Sequence, residues 1–472
     1  MNERISQPAI AVIGLGASAV VLLDAFTQAR LPPAVLHLFD PGAQWWRGRA
    51  YQQDLPVLRT NAAPEDMSVR YGDDTHFARW LAERDAFRDA GPASDTDVTG
   101  LPSRTVYGQY LEHQARVSCE RLRNLGWDVR LHRASVTSVT TALNLRLTTD
   151  GAGTFRVDRI ILCVGNGPPH DPLGLNSDPR TIPDPYPAEE MLRRVGRRDR
   201  VTVVGSGLTA VDTVIALTQR GHTGRISLVS RTGILPAVRQ KPLPALSRLP
   251  EHPDSRMPWK EWLANSLRRA GASPHSLLAE VDAVTHEAPL KRLRRHLDQL
   301  DDPDPTLRVL QASVPSLLPR LWAGMDPGEQ GEIFARHLRT VVSLCCPMPP
   351  AAARALLALA DTGRLTLHTT ASVPGFTEAD VMVNATGTAP DRIPPEATLL
   401  TASLTRAGLA RSHPLGGLRA DPATSRLLGE HGPDDRLYAV GDLTLGTFLF
   451  TFGIPAVVER AHDIVRHLKE NP

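Results

Sequence analysis

Two stretches of the chain repeat one pattern of apolar and polar positions. Residues 8–14 (PAIAVIG) and 34–40 (AVLHLFD) are short, nearly unbroken apolar runs, and residues 17–30 between them (ASAVVLLDAFTQAR) are apolar with helical spacing. Short apolar runs bounded by Gly and Pro predict strands buried on both faces, and the longer stretch predicts the crossover helix of a βαβ unit. The pattern returns at 199–231, as strand RVTVVG, helix LTAVDTVIALTQRG and strand RISLVSR. Between the two units the spacing predicts a polar loop over 41–75, a helix near 104–124, a β-meander over 127–158 and a strand at 159–167 (RIILCVGNG). From 236 to 350 strand patterns vanish, prolines are frequent, and DSRMPWKEWLANSLRRA and GEQGEIFARHLRTVV predict helices. Strands return at RLTLHT, DVMVNATG and DRLYAVGDLT, and an amphipathic helix, PAVVERAHDIVRHLKE, follows.

This order predicts an α/β fold of two Rossmann-like dinucleotide-binding domains with a helical insertion. The first domain is expected over 1–170 and again over 386–472, the second over 195–240 and 358–385, and the insertion, on the substrate side, over 241–357. A chain of 472 residues exceeds what one core supports, which agrees with more than one domain.

Charge narrows the function classes. Lys and Arg (53) nearly balance Asp and Glu (51), and aromatic residues are 5%, so neither an electrostatic footprint nor a stacking platform for nucleic acid is expected. The apolar run at 9–23 is shorter than the roughly 20 residues of a membrane span, and MNERISQPAI has no basic n-region followed by an apolar core. No membrane partner and no signal peptide are expected. Four cysteines, Cys119, Cys163, Cys345 and Cys346, show no C-x-x-C spacing, which fits a reducing cytoplasm. Zinc-type spacings, H-E-x-x-H and G-x-S-x-G are absent from the sequence, and no metal is expected.

The candidate chemistry sits in the turns of the two βαβ units. In GLGASA, Gly14 and Gly16 allow a tight turn and close approach of the backbone to a pyrophosphate, and Ala19 lets the helix pack on the strand. Ala17 and Ser18 open the helix, whose positive N-terminal end faces the phosphates. Asp40 closes the second strand, where a carboxylate accepts a ribose hydroxyl. The second copy, Gly205-Ser-Gly207-Leu208-Thr209-Ala210, is followed by a strand ending in Ser230-Arg231, a pair suited to a ribose 2′-phosphate; a solvated surface arginine is the alternative. FAD is therefore expected at the first turn and NADPH at the second. Arg239 and Lys241 follow the second unit and are candidates for clamping a substrate carboxylate, with surface exposure as the alternative for each. His37, inside a strand, is expected in the core or at a sheet edge.

The sequence resembles the two-dinucleotide flavoproteins, weakly the class B flavin monooxygenases and more closely the FAD/NAD(P)-binding family that includes flavin-dependent amino-acid N-oxygenases. The matching stretches are GLGASA, RGRAYQQDLPVLRTNAAPEDMS, SRTVYGQYLEHQ, ILCVGNGPP, VGSGLTAVDTVIALTQRGHTGRISLVSRTGILP, VNATG and LYAVGDLTLGTF. The resemblance implies that the segment holding Arg49, Asn61, Met67 and Ser68 wraps the ring end of the flavin. It also implies that the chain leaves the first domain near Gly165 and returns at VNATG, and that Gly441 and Asp442 lie at the ribityl and pyrophosphate. Relatives carry His and Arg around 344–347, where this chain has Leu-Cys-Cys-Pro, so the resemblance does not supply the substrate.

The implied reaction is an NADPH- and O2-dependent monooxygenation: NADPH reduces FAD, oxygen adds at C4a, and one oxygen atom passes to the amine of an amino acid or small amine. No protein nucleophile is required, and no catalytic side chain is assigned. Two alternatives stay open, a FAD-dependent oxidase or dehydrogenase of a small amine or amino-acid-derived substrate, and a nucleotide-binding protein without turnover. Oligomeric state is also open, a homodimer included.

Overall fold

A computed structural model describes residues 7–83, 100–141, 144–241, 249, 257–370, 378–451 and 453–471. Fourteen strands are present among them: β1 (Ala9–Ile13), β2 (Val35–Phe39), β3 (Asp128–His132), β4 (Val136–Thr141), β5 (Leu145–Thr149), β6 (Thr154–Val157), β7 (Arg159–Leu162), β8 (Thr181–Ile182), β9 (Val201–Val204), β10 (Ile226–Ser230), β11 (Leu365–Thr369), β12 (Val381–Asn384), β13 (Arg426–Gly429) and β14 (Gly432–Ala439). They form a six-stranded sheet in the order β13-β14-β7-β1-β2-β3, a five-stranded sheet in the order β11-β10-β9-β12-β8, and an antiparallel three-stranded sheet β4-β5-β6. All pairings in the two large sheets are parallel except β13 with β14.

The continuous apolar run of β1 has a direct cause. Ile10 and Val12 face a layer of helices, Ala17–Ala29, Arg104–Asn124 and Ile454–Glu470, whereas Ala11 and Ile13 face the three-stranded sheet and helix Thr398–Arg406. Both faces are covered, so neither parity of the strand can be polar. The five-stranded sheet repeats the arrangement, with Val201 and Val203 packed among helices Leu208–Gln219, Ala188–Arg193 and Pro350–Asp361. Helices Trp259–Arg269, Pro274–His286, Thr306–Ala323 and Pro327–Cys345 supply most of a separate core around Trp322. This is the expected α/β fold with a helical insertion.

One element differs from the sequence expectation. The segment 128–132 does not open the meander; it pairs with β2 in parallel as the edge of the six-stranded sheet, and the meander begins at Val136. The signal that decides this lies across the chain: His132 and His37 stack 5.2 Å apart, with Nδ1 of His37 3.0 Å from Nε2 of His132. His37 is a core residue, and burial, then His132, pull its pKa down to about 4.

The two nucleotide turns are built alike. Gly14 N–H donates to the Phe39 carbonyl at 2.8 Å and Gly205 N–H to the Val229 carbonyl at 2.8 Å. Both glycines hold positive φ, +92° and +136°. A Cβ on Gly14 would stand 2.3 Å from the Cys163 carbonyl oxygen, and one on Gly205 would stand 2.4 Å from that of Ala385. Gly207 differs, with φ −81° and no heavy atom within 4 Å of an added Cβ. Gly205→Ala should therefore lower the thermal midpoint by several degrees, whereas Gly207→Ala should leave it within a degree or two of wild type. Calorimetric melting of both variants measures this directly, and equal melting would remove the close-approach account.

Candidate active site

A cleft of about 680 Å³ opens on the first turn, lined by Gly14, Gly16, Asp40, Arg49 and Gly165 among others. Asp40 is part of the turn itself: one carboxylate oxygen accepts the Leu15 N–H at 2.8 Å and the other the Gly42 N–H at 2.7 Å. The helix Ala17–Ala29 starts after Gly16 with no side-chain cap, so the first amides, at Ala17 and Ser18, point toward the end of the turn without a side-chain acceptor. Gly441 comes up against the same turn, where its Cβ would lie 3.3 Å from Ser18 Oγ. Asp442 is buried; its Oδ1 accepts from Thr451 Oγ1 at 3.1 Å, its Oδ2 has no hydrogen-bond partner, and Arg392 Nη1 is 3.7 Å away. Burial raises its pKa, with Arg392 opposing. Gly441 and Asp442 line neither this cleft nor the cavity described below. An uncapped helix, glycines at the point of close approach and an orphaned buried carboxylate oxygen fit a dinucleotide with hydroxyl groups, as FAD has.

The far wall of the cleft is the junction of the two domains. Arg49 holds Asp184 through two hydrogen bonds of 2.6 and 3.2 Å, so its charge is engaged at the cleft rim. Deeper, Arg104 on one helix meets Asp212 on the crossover helix of the second domain at 2.6 Å and the Tyr186 hydroxyl at 2.9 Å, while Tyr186 also donates to Asp212. The two connecting segments run side by side, His170 N–H donating to the Gly387 carbonyl at 2.9 Å and Asn384 Nδ2 to the His170 carbonyl at 3.1 Å. Sequence reasoning missed Arg104, Tyr186 and Asp212, which come from three separate elements and share no local pattern.

A second cavity, about 440 Å³, gathers Asn61, Met67 and Ser68 with Arg239. The Ser68 hydroxyl donates to the Asp73 carbonyl at 2.6 Å and holds the loop. Arg239 is half-buried overall, its guanidinium donates to the Asn61 carbonyl, and its Nε has no partner. Burial pulls its pKa down, with Asp66 opposing. Lys241 is not in this cavity; it is exposed and paired with the exposed Asp301, because the chain turns outward after Gln240. Cys345 and Cys346 line the same cavity as free, buried thiols, and burial pushes Cys346 up to about 12.

The second turn lies outside both cavities. Gly205, Gly207, Leu208 and Thr209 are half-buried there, and the Ser230 hydroxyl accepts the Gly233 N–H at 2.9 Å. Arg231 is exposed. Arg339 of the insertion is held below the usual arginine value by desolvation first and then by the like charges of Arg231 and Arg392.

Residues 11–167 match the model of a FAD-NAD(P)-binding family. The matched stretch is about the first third of the chain. Over its whole length it is similar to the ornithine N-hydroxylase of Kutzneria sp. 744, solved with reduced FAD, NADP+ and L-ornithine, at 15% identity and TM-score 0.60, covering 99% of each chain. It is also similar to the L-lysine 6-monooxygenase of Pseudomonas syringae, at 16% identity and TM-score 0.58, covering 98% of this chain and 99% of that one. The bacillithiol disulfide reductase of Bacillus cereus shares the fold at 12% identity and TM-score 0.51, covering 99% and 100%. No curated protein matches the sequence. These likenesses establish the fold, and no helix among the described residues is long and apolar enough to cross a membrane.

Asp212→Asn leaves Arg104 charged in a mostly buried place and should cost about 3 kcal/mol in urea unfolding. The double variant Arg104→Met/Asp212→Leu should recover most of that loss. A single variant as stable as wild type would show that the junction does not depend on this pair.

Proposed function

We propose that the protein is an NADPH- and O2-dependent flavin monooxygenase that N-hydroxylates the amine of an amino acid or small amine. Bound FAD would accept electrons from NADPH and use them to activate O2. The observation that carries the reading is the contrast between the two like-built turns: Asp40 closes the first, while the exposed Arg231, near enough to Arg339 for their charges to interact, follows the second. A carboxylate tolerates a ribose hydroxyl and repels a phosphate; a guanidinium favours the phosphate.

The chain's residues then have separate tasks. Gly14, Gly16, Ala17 and Ser18 would cradle the FAD pyrophosphate, Asp40 would take its adenosine ribose, and Asp442 Oδ2 would accept from a flavin side-chain hydroxyl. Gly205, Gly207, Leu208, Thr209, Ser230 and Arg231 would hold NADPH. The second cavity supports a small polar substrate: Arg239 presents a guanidinium, and Glu65, Asp66 and Asp74 place carboxylates on its wall. Enclosure by Phe450 and Met67 would limit water at the reacting centre. The free, buried cysteines support a reducing cytoplasmic setting.

Replacing Arg231 by Ala should raise KM for NADPH about tenfold or more, the worth of one charged hydrogen bond, and leave KM for NADH unchanged. Steady-state kinetics with both nucleotides decides it, and an unchanged NADPH/NADH ratio would contradict the 2′-phosphate role. Turnover with an accepted amine should yield one hydroxylamine and one water per NADPH and O2 consumed. An imine with stoichiometric hydrogen peroxide, formed without NADPH, would instead identify an oxidase.

A further inference from the structure

The insertion carries a third cavity, about 480 Å³ and open to solvent beside the exposed Leu278, within the range of small-molecule sites. Helix Thr306–Ala323 turns Leu310, Val314, Leu317 and Leu321 into it. Its lining is mostly aliphatic and aromatic; the Trp322 indole donates to the Gly446 carbonyl at 2.9 Å, the Trp259 indole to Glu329 at 3.2 Å, and Lys260 pairs with the same Glu329 at 3.1 Å, while His337 and Thr340 are the other polar residues on its wall. A chamber of this kind suits hydrocarbon and presents no carboxylate to the second ammonium of a diamine.

Its position ties it to the candidate substrate cavity. The same helix presents Gln311, Ser316 and Arg320 to that polar cavity, so one amphipathic helix forms part of both walls. Cys345 lines both spaces, and Leu449 and Phe450, consecutive in the chain, line one each. Cys345 is thus part of both walls. Leu449 and Phe450 follow closely on Gly441 and Asp442, so the chamber lies beside the segment assigned to FAD. The small thiol stands in the Leu344-Cys345-Cys346-Pro347 stretch at the end of helix Pro327–Cys345.

We propose that the substrate is an amphipathic primary amine, its polar end in the cavity of Arg239 and Asp66 and its apolar tail in the insertion chamber past Cys345. This rests on the monooxygenase reading and adds the substrate class: a linear or lightly branched alkyl amine, or an amino acid with a long apolar side chain, in place of ornithine or lysine.

Calorimetric titration of the oxidised FAD-loaded protein with n-propyl-, n-hexyl- and n-decylamine, below their micellar concentrations, tests the chamber without turnover. Affinity should rise about fourfold per methylene beyond the length that reaches Cys345, and L-ornithine should bind more weakly than n-decylamine. Val314→Trp, which fills the chamber, should flatten the dependence on length while n-propylamine binds as in wild type. Leu318→Phe, a smaller intrusion, should shorten the longest chain accepted if the larger variant fails to fold. Affinity independent of chain length, or unchanged by both substitutions, would overturn the proposal. So would lipid vesicles of phosphatidylcholine that sediment wild type but not Val314→Trp, since the chamber would then be a lipid-facing surface. Length-dependent binding with no hydroxylamine under NADPH and O2 would uphold the chamber and remove the reaction. Hydroxylation of L-ornithine in preference to every alkylamine would do the reverse.

Discussion

At two places in this protein a strand ends so close to its neighbour that no side chain fits between them. A methyl group at Gly14 would overlap the Cys163 carbonyl, and one at Gly205 would overlap that of Ala385. Each contact sets the turn that delivers the backbone to a helix N-terminus, and each neighbouring carbonyl belongs to the segment through which the chain leaves or re-enters the first domain. The glycines thus decide two things together: where a pyrophosphate can sit, and how near the connecting segments run to it. Shift either turn outward by a side chain and the sheet order, the cleft and the domain junction all lose their register.

On that shared frame the differences carry the function. Asp40 is drawn into its own turn by two backbone amides, which fixes a carboxylate at the edge of the first cleft. Ser230 is likewise tied to its turn, but the next residue is an exposed arginine whose charge reaches Arg339. Between the two domains Arg104, Tyr186 and Asp212 form a buried polar contact on the wall of the first cleft, so the position of the second domain is coupled to the groups that line the first site. A polar cavity and an apolar chamber then meet at Cys345, on the side supplied by the insertion.

Most of the α/β frame was legible in the sequence because it is local. Apolar runs, helix spacing and Gly-x-Gly turns are each written within about 30 residues, the scale of one βαβ unit. The segment at 128–132 was misread for the same reason: alone it looks like the first strand of a meander, and only the distant partner strand at 35–39 and the His37–His132 stack reveal its place. Asn61, Met67 and Ser68, expected at the flavin's ring end, share one cavity with Arg239, expected to clamp a substrate, whereas Lys241, two residues on, faces solvent against Asp301. The chamber was hidden because its walls come from several helices of the insertion, whose apolar stripes in sequence look like any buried helix face. Cys345 and Cys346 are buried free thiols at the edge of the polar cavity, and that Cys345 also lines the apolar chamber depends on packing.

Reducing the FAD-loaded protein with NADPH under anaerobic conditions and mixing it with oxygen in a stopped-flow spectrometer reaches the central claim most directly. The account predicts a transient whose absorbance matches neither oxidised nor reduced flavin and which decays faster when an accepted amine is present. Return to oxidised flavin in a single phase, at a rate indifferent to amine and with all oxygen recovered as hydrogen peroxide, would contradict it.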